Sequence, residues 1–181
     1  MKDIQYQLTF YSDWHCSSGL SAGGNVDMLV VKDAQGLPYV PGRTIKGLVR
    51  ESYETLFQPS SLFGAEGAGH TDSKDITVFF SNAELSQHEQ TVINTTHTSE
   101  FLFRSLSNTA IDECGITKKG SLRKIEVVVP CTLQGSIINV PDKEVENIKN
   151  ALNYVKRLGL GRSRGLGRCQ FVNIQEKGGL Q

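Results

Sequence analysis

Residues 159–168 read Gly-Leu-Gly-Arg-Ser-Arg-Gly-Leu-Gly-Arg. Four glycines in so short a run let backbone N–H groups come close to a polyanion. Arg162 and Arg164 add fork-shaped donors matched to phosphate. The run lies inside a stretch, 147–175, that holds no Asp or Glu but carries Lys149, Lys156, Arg157, Arg162, Arg164 and Arg168. Two other basic groups stand apart. Arg43, Lys46 and Arg50 share one face of an expected helix. Lys118, Lys119, Arg123 and Lys124 form the third. The glycine-arginine run has a plainer reading as a flexible, solvated connection, and the Arg43 group taken alone reads first as an ordinary solvated face. Together, in a chain with 19 Lys+Arg against 19 Asp+Glu, they describe charge segregation. Net neutrality excludes a uniformly basic nucleic-acid binder and leaves a local surface that follows a nucleic-acid backbone. The glycines precede a strand and G-x-x-x-x-G-K-[ST] is absent, so neither a dinucleotide fingerprint nor a P-loop applies.

The remaining chemistry-bearing residues are scattered. His15, His70, His88 and His97 are candidate general bases, and His15 reads first as a structural residue at a strand end. His70 and His88 with the cysteines have no recognised zinc spacing. Asp13 is expected to be solvated. Asp33, Asp72, Asp75 and Asp112 are expected to shape turns. Tyr11, Trp14 and Tyr39 are candidates to stack on bases, but the interleaved aromatics of an RNA-recognition motif are missing. Cys16, Cys114, Cys131 and Cys169 form no C-x-x-C, which points to free thiols in a reducing compartment.

These residues need a scaffold. Ile4, Tyr6, Leu8 and Phe10 alternate with polar residues, the pattern of a half-buried strand. Pro41-Gly42 stops the chain. Ile45, Leu48, Val49, Tyr53, Leu56 and Phe57 then predict a helix over about 43–57. Further strands are expected at 76–80, 125–133 and 169–174, with Pro130 marking an edge or bulge. A second helix is expected after Asp142 as N-cap, with Val145, Ile148, Leu152, Val155 and Leu158 as its apolar face and Gly159 as its stop. The order is βαββαβ, an α+β ferredoxin-like pattern in a single domain over 1–181. Residues 58–75 read as an insertion, and 86–120 as a long polar loop. No apolar run is long enough to span a membrane, no signal peptide is visible, and a cytoplasmic protein is expected.

Residues 19–51, Gly-Leu-Ser-Ala-Gly-Gly-Asn-Val-Asp through Pro-Gly-Arg-Thr-Ile-Lys-Gly-Leu-Val-Arg-Glu, resemble the N-terminal signature of the RAMP superfamily of CRISPR-associated proteins. Leu62-Phe63-Gly64, Asn108–Asp112 with Lys118–Arg123, and 159–171 are similar to its later landmarks. The likeness is nearest to the repeated backbone subunit of type III effector complexes of the Csm kind. It implies a modified ferredoxin-like, RRM-like palm with a thumb-like insertion at about 86–124. It implies copies, or paralogues and other effector subunits, stacked along a guide RNA. It also implies cleavage of paired target RNA, helped by Mg²⁺ or another divalent metal.

By that resemblance Asp27 is both the catalytic residue and the metal ligand. Ser21, Gly23, Gly24, Arg43, Lys46, Arg50, Lys118, Lys119, Arg123, Gly159, Gly161, Arg162, Arg164 and Gly165 are the RNA-binding set. Ser21 stands where the family often has His. Without the resemblance Asp27 is a plain loop residue. The competing readings are a non-catalytic RNA-binding backbone subunit, a stand-alone guide-processing ribonuclease and a small ligand-binding ferredoxin-like protein. The ribonucleases commonly pair two such domains and place a His near the N-terminal helix, which this chain lacks. The ligand-binding reading leaves 159–168 unexplained.

Overall fold

The computed structural model describes residues 1–21, 26–64, 78–118 and 120–178. Strand β1 (Lys2–Phe10) alternates as its sequence does: Ile4, Tyr6, Leu8 and Phe10 are buried, and the odd positions are more open. It is the centre of a four-stranded antiparallel sheet. One flank is β5 (Thr132–Val140), which also carries the short β2 (Phe79–Phe80); the other is β6 (Cys169–Gly178). The sheet order β2-β5-β1-β6 with two intervening helices is the ferredoxin-like arrangement.

Helix α1 (Gly42–Leu56) buries Ile45, Val49 and Tyr53. Helix α3 (Val145–Tyr154) buries Val145, Ile148, Ala151 and Leu152. The two helices touch and share one core with the apolar side of β1 and β5. Phe10 stacks on Trp14 at 4.5 Å within it. Pro41-Gly42 is needed where α1 meets the sheet: a side chain at 42 would strike the Phe80 carbonyl, and the Gly42 N–H donates to Asn82 Oδ1 at 3.0 Å.

Several expectations change. The long polar stretch 86–120 is not one loop. It holds α2 (Gln87–Thr96), a 3-10 turn at Ser99–Leu102 and β3 (Phe103–Asn108). Helix α2 buries nothing, so it shows no apolar period; a capping box between Ser86 and Glu89 starts it. The expected strand 125–133 is two strands. β4 (Arg123–Val128) pairs with β3 in a separate hairpin, and β5 begins only after Val129-Pro130-Cys131. Pro130 has no N–H to continue a ladder, so the chain changes sheets there. Asp142 is not the N-cap of α3. It lies in a 3-10 turn and pairs with the N-terminal ammonium, while Glu144 takes the cap position. The helix also stops at Tyr154; Val155 and Leu158 stay buried in extended chain, so Gly159 is not its C′ residue. Strand β6 runs on to Gly178. Most of the 58–75 insertion and residues 76–77, with His70, Asp72 and Asp75, lie outside the described residues.

Candidate nucleic-acid interface

The glycine-arginine run forms a loop fixed at several points. Gly167 N–H donates to the Asp13 carbonyl at 2.7 Å, Leu160 N–H to the His15 carbonyl at 2.9 Å, and Leu158 N–H to the Gly167 carbonyl at 2.9 Å. Gly159 and Gly167 have φ of 92° and 67°, which glycine adopts without strain. A Cβ at 159 would also strike the His15 carbonyl, and one at 167 the Leu158 carbonyl. Between them a 3-10 turn, Arg162–Arg164, stands exposed. Among the described residues no carboxylate pairs with Arg162 or Arg164. The Arg157 guanidinium donates to the Arg162 carbonyl and helps hold the turn.

The β3–β4 hairpin faces this loop. Between them lies a cleft of about 990 Å³, with Arg104, Arg123, Arg162, Arg164 and the loop glycines 159, 161 and 165 in its walls. Arg123 and Arg164 carry it into a second hollow of about 700 Å³ beside Lys118 and Ser121. Two basic groups far apart in the sequence therefore meet in one groove.

The third basic group does not join them. Arg43 lines a different groove, on the helix-free face of the sheet. Lys46 lies on neither groove. Arg50 bonds Glu54 along α1 at 2.8 Å. Ser21 is exposed and away from the cleft walls. Gly23, Gly24 and Lys119 lie outside the described residues.

Asp27 sits beside the start of β4. Its N–H donates to the Lys124 carbonyl at 2.8 Å, and its Oδ2 accepts the Lys124 N–H at 2.7 Å. Met28, next in the chain, pairs with Ile125 and lines the cleft. The side chain of Glu126 completes the clasp, accepting from Val30 N–H at 3.0 Å and pairing with Lys32 at 2.8 Å. Asp27 is exposed, and its Oδ1 accepts no hydrogen bond among the described residues.

No cluster of three or more His, Cys, Asp or Glu that could hold a metal occurs among the described residues. One free carboxylate oxygen suits a Mg²⁺ that keeps its waters and takes its other ligands from phosphate.

Other candidates resolve into structural parts. His15 is buried; its Nδ1 lies 2.6 Å from the Glu126 carbonyl, so that nitrogen carries the proton and donates. Trp14 is core, while Tyr11 is exposed at the cleft edge. Asp33 Oδ1 accepts from Gln35 and Leu37, and Asp112 Oδ1 from Cys114 and Ile116, as turn-shaping residues do. The cysteines are free thiols. Burial pushes Cys131 up to about 11 and Cys169 up to about 12, so neither is a nucleophile at neutral pH. Asp13 is a correction. It is buried, not solvated, because its carboxylate is held by Arg104 of β3. The partner lies 91 positions away, so nothing local in the sequence announces the pair.

Comparison with known proteins agrees with this architecture. A chain of the type III-B Cmr-beta complex bound to cognate target RNA, solved by cryo-electron microscopy, superposes with a TM-score of 0.67 at 10% identity. The match covers 93% of this chain and 96% of that one. A chain of the apo Cmr-beta complex gives 0.65 at 10% identity over the same shares. No curated protein sequence matches. The family model of the RAMP superfamily matches residues 7–170, most of the chain, and the chain belongs to the RAMP superfamily.

Proposed function

We propose that this protein is an RNA-binding backbone subunit of a type III CRISPR effector complex, and that it lays guide RNA along the cleft between the 159–168 loop and the β3–β4 hairpin. The observation that carries this reading is the convergence of Arg123 with Arg162 and Arg164 in one groove, without carboxylate partners among the described residues. Phosphates neutralise such a groove, and the glycines in its wall, Gly159, Gly161 and Gly165, admit the RNA backbone closely. Its partners are guide RNA, target RNA, other effector subunits and further copies or paralogues. The likeness to chains of Cmr-beta complexes supports that setting. The exposed Ile111, Ile116 and Leu122 on the hairpin tip suit a wedge against bases or a neighbouring subunit.

Within this reading Asp27 cuts the target strand. A 2′-OH attacks the adjacent phosphorus; a 2′-O–P bond forms, the P–O5′ bond breaks, and the products are a 2′,3′-cyclic phosphate and a 5′-hydroxyl. Asp27 is exposed and precedes Met28 of the cleft wall; its Oδ1 can take the 2′-OH proton. Alternatively the same oxygen would hold a divalent cation together with phosphate oxygens, which would supply charge neutralisation at the phosphate in place of proton transfer to Asp27.

A second reading has its own observation. Asp27 Oδ2 already secures the start of β4, so its carboxylate has a structural use in a non-catalytic backbone subunit. Asp27→Asn separates the two, because the amide oxygen still accepts the Lys124 N–H. The experiment is cleavage of a labelled, guide-complementary RNA by the assembled complex with Mg²⁺. Evenly spaced cuts that vanish in Asp27→Asn, with target binding and melting temperature retained, are expected. Persistent cuts would place the chemistry on another subunit. No cuts from either protein, with binding intact, would leave the structural role alone.

A further inference from the structure

Asp13 and Arg104 join the two walls of the cleft. Asp13 belongs to the wall of the glycine loop, since its carbonyl receives Gly167 N–H at 2.7 Å. Arg104 belongs to the hairpin, opposite Val127 of β4. The Arg104 guanidinium gives two contacts to one carboxylate oxygen, Oδ2, with Nε at 2.7 Å and Nη2 beside it. The exposures of the partners are very unequal: the Asp13 side chain is 9% exposed and that of Arg104 60%. Asp13 Oδ1 is buried and has no hydrogen-bond partner among the described residues. A desolvated carboxylate with a single cationic partner fixes that partner firmly, because leaving the charge unpaired is costly. The guanidinium is thus gripped on one edge and open to the cleft on the other. Arg104 lines the same groove as Arg123, Arg162 and Arg164.

We propose that Asp13 is a positioning residue that holds Arg104 as a pre-set phosphate-binding fork in the RNA cleft. This rests on the RNA-binding reading above. Arg104 would otherwise be one more exposed arginine whose rotamers must be ordered on binding. Held from behind, it meets a phosphate with little further loss of side-chain freedom. The pair also explains an acidic residue in the wall of a groove that must attract a polyanion: the carboxylate is spent on orientation.

The sign of one substitution tests this. Asp13→Asn removes a negative charge from the cleft wall, so simple electrostatics predicts tighter RNA binding. Positioning predicts weaker binding. Full-length protein and its variants would be titrated with a fluorescein-labelled single-stranded RNA of mixed sequence over a range of salt, with melting temperature as the check on folding. Arg104→Gln is expected to weaken binding about tenfold and to reduce the slope of log affinity against log salt by about 0.7. Arg104→Lys, which keeps the charge and loses the fork, should weaken binding with the slope retained. Asp13→Asn should weaken it by several-fold in the native background and change nothing in the Arg104→Gln background.

Tighter binding by Asp13→Asn, or an equal loss in both backgrounds, overturns the proposal while leaving RNA binding in place. Wild-type affinity unchanged in every Arg104 variant also overturns it. Failure of the wild type to bind RNA overturns the RNA-binding reading, and this inference with it.

Discussion

Two grooves of similar size lie on this protein, about 1060 Å³ on the open face of the sheet and about 990 Å³ between the glycine loop and the hairpin. Size alone favours the first. Its floor is Gln5 and Gln7 of β1, Gln134 and Ser136 of β5, and Gln175 of β6, with Arg43 at the rim. Those are the outward positions of strands whose other side faces the helices; with Glu84 also in the lining, the groove holds polar side chains and no gathering of positive charge. The second groove gathers arginines from the hairpin and from the glycine loop, whose backbone is immobilised by hydrogen bonds to residues 13 and 15. Space is cheap on a protein surface. Fixed charge in a fixed loop is not, and it is the better mark of a site.

The comparison can be broken most forcefully at Gly167. Gly167→Ala must accommodate a left-handed φ and a collision with the Leu158 carbonyl, so it should destabilise the protein by about 2–5 kcal/mol and abolish RNA binding, as read by denaturant unfolding and titration. Gly47→Ala, in open space on α1, should instead stabilise by about 0.5–1 kcal/mol. A smaller effect separates the grooves directly. The double change Arg162→Ala, Arg164→Ala should lower the salt slope of RNA binding by about 1.4. Gln5→Ala with Gln134→Ala should leave both slope and affinity unchanged. Equal losses from the two doubles would mean that the amide groove carries RNA as well.

The smallest effect lies far from the cleft, at the distal end of the sheet. There Glu176 bonds Lys2 and Lys149, each at 2.5 Å. The Lys149 bond, followed by that of Lys2, pulls the Glu176 carboxyl down from 4.5 to about 2. A depressed carboxyl stabilises the folded chain above its unfolded value and loses that contribution as pH falls toward 2. Glu176→Gln should therefore flatten the acid limb of a stability-against-pH curve slightly, with no change at the cleft. The three side chains are partly open to solvent, so the effect should be weak and should fade with salt.

What could be read in advance follows from where burial is local. The alternation of β1 and the helical spacing of Ile45, Val49 and Tyr53 each report one buried side of one element. Helix α2 was hidden because none of its residues is buried; Ser86 with Glu89, the capping box, was the available signal. The split at Pro130 was hidden for the opposite reason. Both β4 and β5 have buried apolar residues, so an apolar run passes across two sheets without a break in hydrophobicity.

The sequence by itself determined the βαββαβ order and the glycine-arginine loop, because periodicity and glycine content act within a few residues of chain. Its motifs also carried the resemblance to the RAMP superfamily and, through it, the interest of Asp27. Only the tertiary structure decided that Arg123 meets Arg162 and Arg164 while Arg43 goes elsewhere. It alone brought Asp27 onto the Lys124 backbone, 97 positions away, and buried Asp13 against Arg104, 91 positions away. Contacts across such separations depend on how the hairpin folds over the loop, and no local pattern in either segment encodes the partner it finds.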